Sequence, residues 1–204
     1  MPVAPMESPA GDALAFSAPW SLLCLRSYLI EHTRHTCAFI DCRLYSNLEM
    51  ELTEALKQNP DTQVAVVNTA SLGLGQSAAV LEIIKRQAPA IITVACGQHP
   101  SQFPEAATSI PRADYSLAGD PEPILRHFLD YYDVEQRRTR IPGLIAAGGE
   151  AREPYWLPDL RGLSLPDWDG VFWGAYRAAG VTGRAEARLS RGHTGLPAYR
   201  AFGA

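Results

Sequence analysis

The sequence has no surplus of positive charge and no long apolar run. Its 18 Lys and Arg residues are outnumbered by 22 Asp and Glu residues, so the formal net charge is −4. Proteins that bind nucleic acid need clustered cations to neutralise phosphates, and this charge balance disfavours nucleic acid as a partner. No apolar stretch approaches the ~20 residues that a helix needs to cross a bilayer, so we expect no membrane partner either.

Signatures of secretion and of metal-binding cysteines are also missing. The stretch 1–11 is rich in Pro and Ala and has neither a basic start nor an apolar core, so we expect a cytoplasmic protein. The four cysteines form no CxxC pair; they are Cys24, Cys37, Cys42 and Cys96. Scattered cysteines do not match a zinc site, and disulfides are rare in the cytoplasm. We therefore expect most of these thiols to be buried as small apolar groups.

The sequence does contain a regular alternation of strand-like and helix-like segments. A hydrophobic fraction of 47% in 204 residues is enough to bury one core. Apolar runs predict strands, and they lie at 13–18, 37–41, 63–69, 90–96 and 115–117. Helical spacing predicts helices, and they lie at 21–31, 47–57, 76–87, 105–109 and 121–132. The second of these helices is expected to be capped by Asn47.

Strands that alternate with helices through short connections are typical of parallel sheets with right-handed crossovers. We therefore predict an α/β fold with a doubly wound, flavodoxin-like or Rossmann-like sheet of five parallel strands in the order 2-1-3-4-5. An irregular and helical extension is expected to follow it. The predicted organisation is a flexible N-terminus (1–11), the α/β domain (12–134), an extension packing on that domain (135–183) and a tail (184–204).

Small and polar residues follow the predicted strands, at the edge where ligands bind in doubly wound sheets. The loops concerned are 19–21, 41–44, 68–75, 97–100 and 119–122. Small side chains let the backbone approach a ligand closely, and hydroxyls can bind it. Neither GxxxxGK[ST] nor GxGxxG is present, which favours a broad, flat ligand over a phosphate. The alternative is that these glycines only form tight turns and helix caps. For His99, a metal ligand and a hydrogen-bonded loop histidine are the two interpretations.

Three phrases and a linker occur in an order that is typical of one family. Residues 96–105 read CGQHPSQFPE, 113–122 read ADYSLAGDPE, 141–144 read IPGL and 157–168 read LPDLRGLSLPDW. They resemble the GG-x-HP-x-x-x-PE, D-x-x-x-x-GEGE, IPG-L and dLd-x-lP-x-pd phrases of the cobalamin-binding domain of cobalamin-dependent radical S-adenosylmethionine proteins. The sequence departs from those phrases at Cys96, Gln98, Asp120 and Pro121.

The resemblance implies that cobalamin, with its cobalt ion, lies over the carboxyl ends of the strands. The matching positions are Cys42, Leu44, Thr69, Ser71, Leu72, Gly97, Gln98, Gly119 and Glu122. The loop containing Thr69 would meet the nucleotide tail, and Cys42 would lie near the corrin face. A buried, inert thiol is the alternative for Cys42. The Asp-x-His-x-x-Gly phrase that ligates cobalt in methyltransferases and mutases is absent, but the radical branch often lacks it as well.

The tail resembles a radical-enzyme cluster motif without its ligands. Residues 190–202 read SRGHTGLPAYRAF. A [4Fe–4S] cluster in that family is held by three thiolates spaced Cys-x3-Cys-x2-Cys. His193, Pro197 and Arg200 stand in their places, and neither proline nor a protonated arginine can ligate iron. We therefore expect no iron–sulfur cluster, no S-adenosylmethionine and no radical catalysis by this chain. A coincidental basic, Gly-rich tail is the alternative.

Three functions remain open from the sequence. The first is a non-catalytic cobalamin-binding module, which acts as a carrier, sensor or accessory subunit beside an intact radical enzyme. The second is a scaffold or regulatory subunit that has lost cobalamin and cluster and binds a protein partner through aromatic residues of the extension. Those aromatic residues include Trp156, Trp168, Phe172 and Trp173. The third is an enzyme in which cobalamin mediates transfer to another protein's substrate.

Overall fold

A computed structural model describes residues 19–70, 73–169, 171 and 173–178 of the chain. In chain order the elements are α1 (Trp20–His32), a 3-10 turn (Cys42–Leu44), α2 (Leu48–Gln58), β1 (Val64–Asn68), α3 (Leu74–Gln87), β2 (Ile92–Cys96), α4 (Gln98–Gln102), α5 (Pro104–Ala107), β3 (Tyr115–Leu117), α6 (Pro121–Tyr131), α7 (Glu135–Arg138), β4 (Leu144–Ala146) and α8 (Trp173–Ala178). The chain is therefore a mixed α/β fold, as the sequence predicts.

The sheet is open and has the order β1-β2-β3-β4 within the described residues. The first three strands are parallel, with Asn68 opposite Cys96 and Ala95 opposite Ser116. The fourth strand runs antiparallel to β3. Three of the predicted strands are thus found as parallel neighbours, but the full prediction of five parallel strands in the order 2-1-3-4-5 is not confirmed.

The prediction of a strand at 37–41 is wrong. This stretch forms no sheet ladder. Its apolar side chains are partly buried by packing, because Cys37 contacts the cluster around α1 and α6 while Ile40 contacts the cluster around α2 and α3. The Cys37 carbonyl accepts a hydrogen bond from Arg26 Nε at 3.1 Å instead of from a strand. A short apolar run cannot distinguish these two ways of being buried. The strand predicted at 13–18 lies outside the described residues.

β4 was not predicted, since three residues are too few to show a periodicity. Leu144 and Ile145 are 4% and 0% exposed, so this short strand is part of the core. The helices agree better with their sequence signals. Asn47 caps α2 by accepting from Met50 N at 3.2 Å, and Pro121 occupies the first turn of α6. No helix in the described part of the chain is both long and apolar enough to cross a membrane.

Helices cover both faces of the sheet. Along β2, Val94 and Cys96 face one cluster while Ala95 between them faces another, which is the two-residue alternation of a strand. The first cluster includes residues of α1 and α6, and the second includes Leu81 of α3. Because core residues cover both faces of β2, a ligand could reach this part of the sheet only at the ends of the strands.

A polar network stabilises the edge of the sheet at which the parallel strands begin. Lys85 Nζ donates to Asp114 Oδ2 at 2.6 Å and to the Ile91 carbonyl at 2.7 Å. The same Asp114 oxygen accepts from Thr93 N at 2.8 Å. Burial raises the pKa of Asp114, but the hydrogen bonds from Lys85 and Thr93 outweigh burial and hold that pKa below its usual range. Asp114 therefore stabilises the folded state in its ionised form.

We expect Asp114→Asn to lower the free energy of unfolding at pH 7 by about 1 kcal/mol, since a partly exposed, charge-assisted network is lost. A carboxylate with a lowered folded pKa stabilises above its unfolded pKa and loses that contribution as the pH falls through the folded pKa. The wild type should therefore lose this component below about pH 4, whereas the variant should not. Urea unfolding between pH 7 and pH 3 measures both effects.

The matched control for this prediction is Asp159→Asn, because Asp159 forms an ion pair with Arg161 at an exposed position. It should leave the unfolding curve almost unchanged. Equal curves for Asp114→Asn and the control would contradict the assigned role of the network.

Candidate functional site

The candidate site is the edge formed by the carboxyl ends of β1, β2 and β3. Thr69 follows β1 directly and Gly97 follows β2. The backbone N–H of Thr69 donates to the Cys96 carbonyl at 2.7 Å, and the N–H of His99 donates to the Thr69 carbonyl at 3.0 Å. The parallel register therefore brings the loops after β1 and β2 side by side, as the sequence predicts for a binding edge.

Thr69 is fully buried at this edge. Its hydroxyl donates to the Cys96 carbonyl at 2.9 Å. The side chain therefore fastens the loop after β1 to the end of β2, which fixes the position of the neighbouring residues.

Gly97 adopts a φ of 105°, a conformation that residues with a side chain rarely adopt. A Cβ atom at this position would overlap Asn68 Oδ1. The glycine is thus required by a close approach between the two loops. Gln98 follows it as the first residue of α4 and is half-buried.

The end of β3 is covered by a later part of the same chain. Gly119, with a φ of 106°, forms a parallel bridge with Tyr155, whose carbonyl oxygen lies where a Cβ of residue 119 would be. Tyr155 N donates to the Ala118 carbonyl at 2.9 Å, and Asp120 N donates to the Tyr155 carbonyl at 2.8 Å. Asp120 Oδ2 then accepts from Leu157 N at 2.8 Å. Residue 119 therefore has to be a glycine, because the backbone of Tyr155 passes directly over it.

Tyr155 and Asp120 were not identified as site residues from the sequence. The available signal was the departure at Asp120-Pro121 from the family's phrase. A short acidic side chain at this position reaches the backbone of residue 157. The sequence could not show that residue 157 is the hydrogen-bond partner of Asp120, because the two residues are far apart along the chain and no periodicity connects them.

Ser101 and Glu122 join the ends of β2 and β3. Ser101 Oγ donates to the Gly97 carbonyl at 2.7 Å and accepts from Gly119 N at 2.9 Å. Glu122 is 1% exposed in the first turn of α6. Burial, reinforced by the negative charge of Glu122, raises the pKa of the Cys96 thiol to about 12. Cys96 therefore remains protonated and acts as a core residue.

Cys42 and Leu44 lie on the 3-10 turn and pack into different clusters. Cys42 contacts the cluster between α2 and α3, and Leu44 contacts the cluster of Leu23 and Tyr176. Burial, together with the charge of Asp41, raises the pKa of Cys42 to about 11. A protonated thiol is a weak nucleophile, so Cys42 has the properties of the inert thiol that the sequence offered as the alternative to a position near the corrin face.

Two parts of the predicted site lie outside the described residues. They are Ser71 and Leu72 of the loop after β1, and the tail positions His193, Pro197 and Arg200. The flanks of the first gap are open: Ala70 is exposed, and a Cβ on Gly73 or Gly75 would meet no atom within 4 Å. Within the described residues, the edge therefore has an open half at the flanks of the gap after β1, with Gln98 half-buried after β2, and a covered half after β3.

A small cavity of about 80 Å³ lies beside the covered half, lined by Pro123, Ile124, His127, Ile141, Pro142 and Tyr155. Ligand pockets usually measure about 300–1,000 Å³, so a cofactor would have to bind on the open edge rather than in this cavity.

His99 is buried and packs against Phe103, with ring centroids 5.6 Å apart. Burial lowers the pKa of its imidazole, which favours the neutral form. Within the described ranges, no three His, Cys, Asp or Glu side chains form a group that could hold a metal ion. His99 is thus a packed residue of the short helix α4, where the sequence predicted a loop.

The aromatic residues of the extension pack on α1. Trp168 contacts Trp20 edge-on and stacks with Trp173, with ring centroids 5.9 Å apart in both pairs. Tyr176 continues the cluster at 5.8 Å from Trp173 and is 2% exposed. Trp156 is half-buried, and Phe172 lies outside the described residues. Much of the aromatic surface predicted for a partner is thus engaged within the chain.

Comparisons with known proteins add no family assignment. No protein-family model matches the chain, and no curated protein matches it at a significant level. The functional interpretation therefore depends on the phrases in the sequence and on the geometry of the edge.

We expect Gly119→Ala to destabilise the protein by about 2 kcal/mol or more, since it adds a methyl group against the Tyr155 backbone at a positive φ. Gly162→Ala is the matched control, because nothing lies within 4 Å of a Cβ there. Urea unfolding followed by circular dichroism measures the difference. Equal stability of the two variants would show that residue 155 does not cover residue 119.

Proposed function

We propose that this chain is a non-catalytic cobalamin-binding module in the cytoplasm, which acts as a carrier, sensor or accessory subunit of a radical-enzyme system. The observation that carries the proposal is the open half of the strand edge. There the ends of β1 and β2 are adjacent, and no atom of the described residues lies within 4 Å of a Cβ on Gly73 or Gly75. Such an edge suits a broad, flat ligand that approaches the backbone.

The residues on the open half are compatible with a corrinoid. Gln98 supplies an amide that can exchange hydrogen bonds with the amide side chains of a corrin ring. Thr69 ties the loop after β1 to the end of β2, and Ser71 and Leu72, which lie outside the described residues, are the positions that we propose for a nucleotide tail. Bound cobalamin would supply a cobalt centre for presentation to a partner enzyme.

The covered half leaves a corrinoid fewer contact positions than the resemblance implies. Gly119 is buried under Tyr155, and Glu122 is 1% exposed. A ligand that reached these two positions would have to displace residues 155–157. We therefore propose that the corrinoid lies mainly over the ends of β1 and β2, with Cys42 and Leu44 at its margin.

The test is retention of hydroxocobalamin. After incubation and desalting, the wild type should keep a visible corrin spectrum. Ser71→Trp and Gln98→Trp should each weaken binding at least roughly tenfold, because a bulky ring would occupy the open edge. Asp61→Trp is the control, since residue 61 lies at the opposite edge, just before β1. No corrin absorbance in the wild type would refute the proposal, and equal losses in all three variants would refute the assigned edge.

A second candidate is a scaffold or regulatory subunit that binds a protein and no cobalamin. It is favoured by the covered end of β3, where the chain's own backbone occupies a predicted ligand position. Trp156, half-buried beside that cover, would then contact the partner. Titration of the chain into an intact cobalamin-dependent radical enzyme would test this candidate. Binding that Trp156→Ala weakens and Tyr131→Ala does not, in a protein that retains no corrin, would favour it over the first.

We also propose that residues 13–18 form a further strand beside β1. In the described part of the chain the outer edge of β1 has no strand partner, and native proteins usually cover such edges. Hydrogen exchange of the β1 amides should accelerate when residues 1–18 are deleted, while the amides of β3 keep their protection. Unchanged exchange at β1 would rule out this pairing.

A further inference from the structure

Arginines without a carboxylate partner are concentrated around α7. Arg137 and Arg138 end this helix, and Arg140 follows shortly after it. None of the three lies within 4 Å of a carboxylate oxygen of the described residues, although Asp133 and Glu135 are close in sequence. Arginines elsewhere in the described ranges do have such partners, among them Arg26, Arg43, Arg86, Arg112 and Arg161. In a chain of net charge −4, this segment is therefore a cluster of cations that the described carboxylates do not pair.

Two of these guanidinium groups are held against aromatic rings. The Arg137 guanidinium lies 4.9 Å from the centre of the Tyr131 ring, and that of Arg138 lies 5.8 Å from the centre of the Tyr115 ring. Contact with a ring involves the face of a guanidinium and uses none of its N–H donors, which lie in its plane. The rings therefore position two arginines and leave their donors for an acceptor.

The small cavity beside Tyr155 adjoins this cluster. His127 lines the cavity and stacks on Tyr131, with ring centroids 6.5 Å apart, and Tyr131 in turn carries Arg137. His127 and Pro142 are both exposed lining residues, so the cavity can be reached from the surface.

A second connection runs through Ile141, which also lines the cavity. Ile141 directly follows Arg140, and its carbonyl accepts from Arg152 Nη1 at 3.5 Å. The cavity and the arginines therefore form one continuous surface, here called the arginine face. It comprises the cavity together with Arg137, Arg138, Arg140 and Arg152.

The volume of the cavity limits what could fill it. A protein cavity of about 150 Å³ accommodates benzene. The cavity of about 80 Å³ therefore admits a group the size of a Val or Pro side chain. Its lining is aliphatic except for the rings of His127 and Tyr155, which favours an apolar occupant. A single side chain of this kind, inserted in a pocket, is a typical anchor of a bound protein segment.

We infer that the arginine face binds an acidic, extended segment of a partner protein, which places one Val-sized or Pro-sized side chain in the cavity and its flanking carboxylates against the arginines. Carboxylates are acceptors that a guanidinium can bind with two parallel hydrogen bonds. Such a segment is complementary in charge to the face and supplies the partners that the described carboxylates do not. No residue of the face belongs to the loops 68–75 or 97–100, so the inference does not depend on the proposed cobalamin site. It is also separate from the contact proposed for Trp156.

The test uses the full chain and capped synthetic peptides in which one central residue lies between two runs of Glu. Heteronuclear NMR of the isotope-labelled chain at low ionic strength detects weak complexes. The peptide with a central Val should shift the amide signals of residues 123–127, 137–142 and 152–155. It should bind at least roughly fivefold more tightly than the peptides with a central Gly or Trp, because Gly leaves the cavity empty and an indole is too large for it. Replacement of every Glu by Gln should abolish binding.

The charge of the face is tested by the double variant Arg137→Gln/Arg140→Gln. It should bind the Val peptide at least roughly tenfold more weakly than the wild type. The matched control is Arg34→Gln/Lys57→Gln, which removes the same charge from exposed positions elsewhere in the chain. It should change the affinity by less than about twofold, since exposed charges at a distance are screened. The NMR spectra of the free variants report whether each is folded, and the comparison of peptides needs only the wild type.

No shift with the Val peptide at millimolar concentration, or equal weakening in the two double variants, would overturn the inference. Equal affinity of the Val and Gly peptides would also overturn it, because the cavity would then receive no anchor. Tighter binding of an oligothymidylate than of the Val peptide would assign the face to nucleic acid instead. Shifts at the same residues on raising the protein concentration without peptide would assign it to a second copy of the chain. All these outcomes are independent of hydroxocobalamin retention, so failure of either proposal leaves the other standing.

Discussion

The parallel pairing of β2 with β1 and β3 is the constraint on which the rest of the structure depends. Val94 and Ala95 are fully buried on opposite faces of β2, so helices must cover both sides. Parallel neighbours then require crossovers, and each crossover leaves its strand at the same edge. The convergence of the loops after β1 and β2, tied by the hydrogen bonds of Thr69, follows from this pairing and not from any property of the loops alone.

The sequence predicted those parts of the fold that depend on local signals. The cap at Asn47, the proline at the start of α6 and the apolar runs of β1 and β2 each act within a few residues, so their consequences are visible in the sequence. The run 37–41 is also apolar, but it is partly buried by side-chain packing and forms no ladder. What separates it from a strand is the hydrogen-bond partner of its backbone, and an apolar pattern carries no information about that partner.

The sequence indicated the position of the candidate site but not its contacts, because only local signals are visible in a sequence. Small residues at the strand ends indicated the edge, but small residues serve a ligand and a neighbouring backbone equally well. At Gly97 the neighbour is Asn68, and at Gly119 it is Tyr155. The decisive contacts are non-local: Leu157 lies 37 residues from Asp120 in the sequence, and only the folded chain brings them together. Sequence reasoning could therefore locate the edge but could not show which half of it is covered.

The division of the edge into an open and a covered half has a physical origin in the extension. Asp120 receives the N–H of Leu157, so the chain that leaves β4 is directed across the end of β3 and then toward α1. In the family that the sequence resembles, a linker at this position leads into a second domain. Here the corresponding segment returns to the same domain, and its aromatic residues fill the space beside Leu23 and Leu44. The same segment thus covers the end of β3 with its backbone, and it packs Trp168 and Trp173, two of the aromatic residues predicted for a partner, against the rest of the chain.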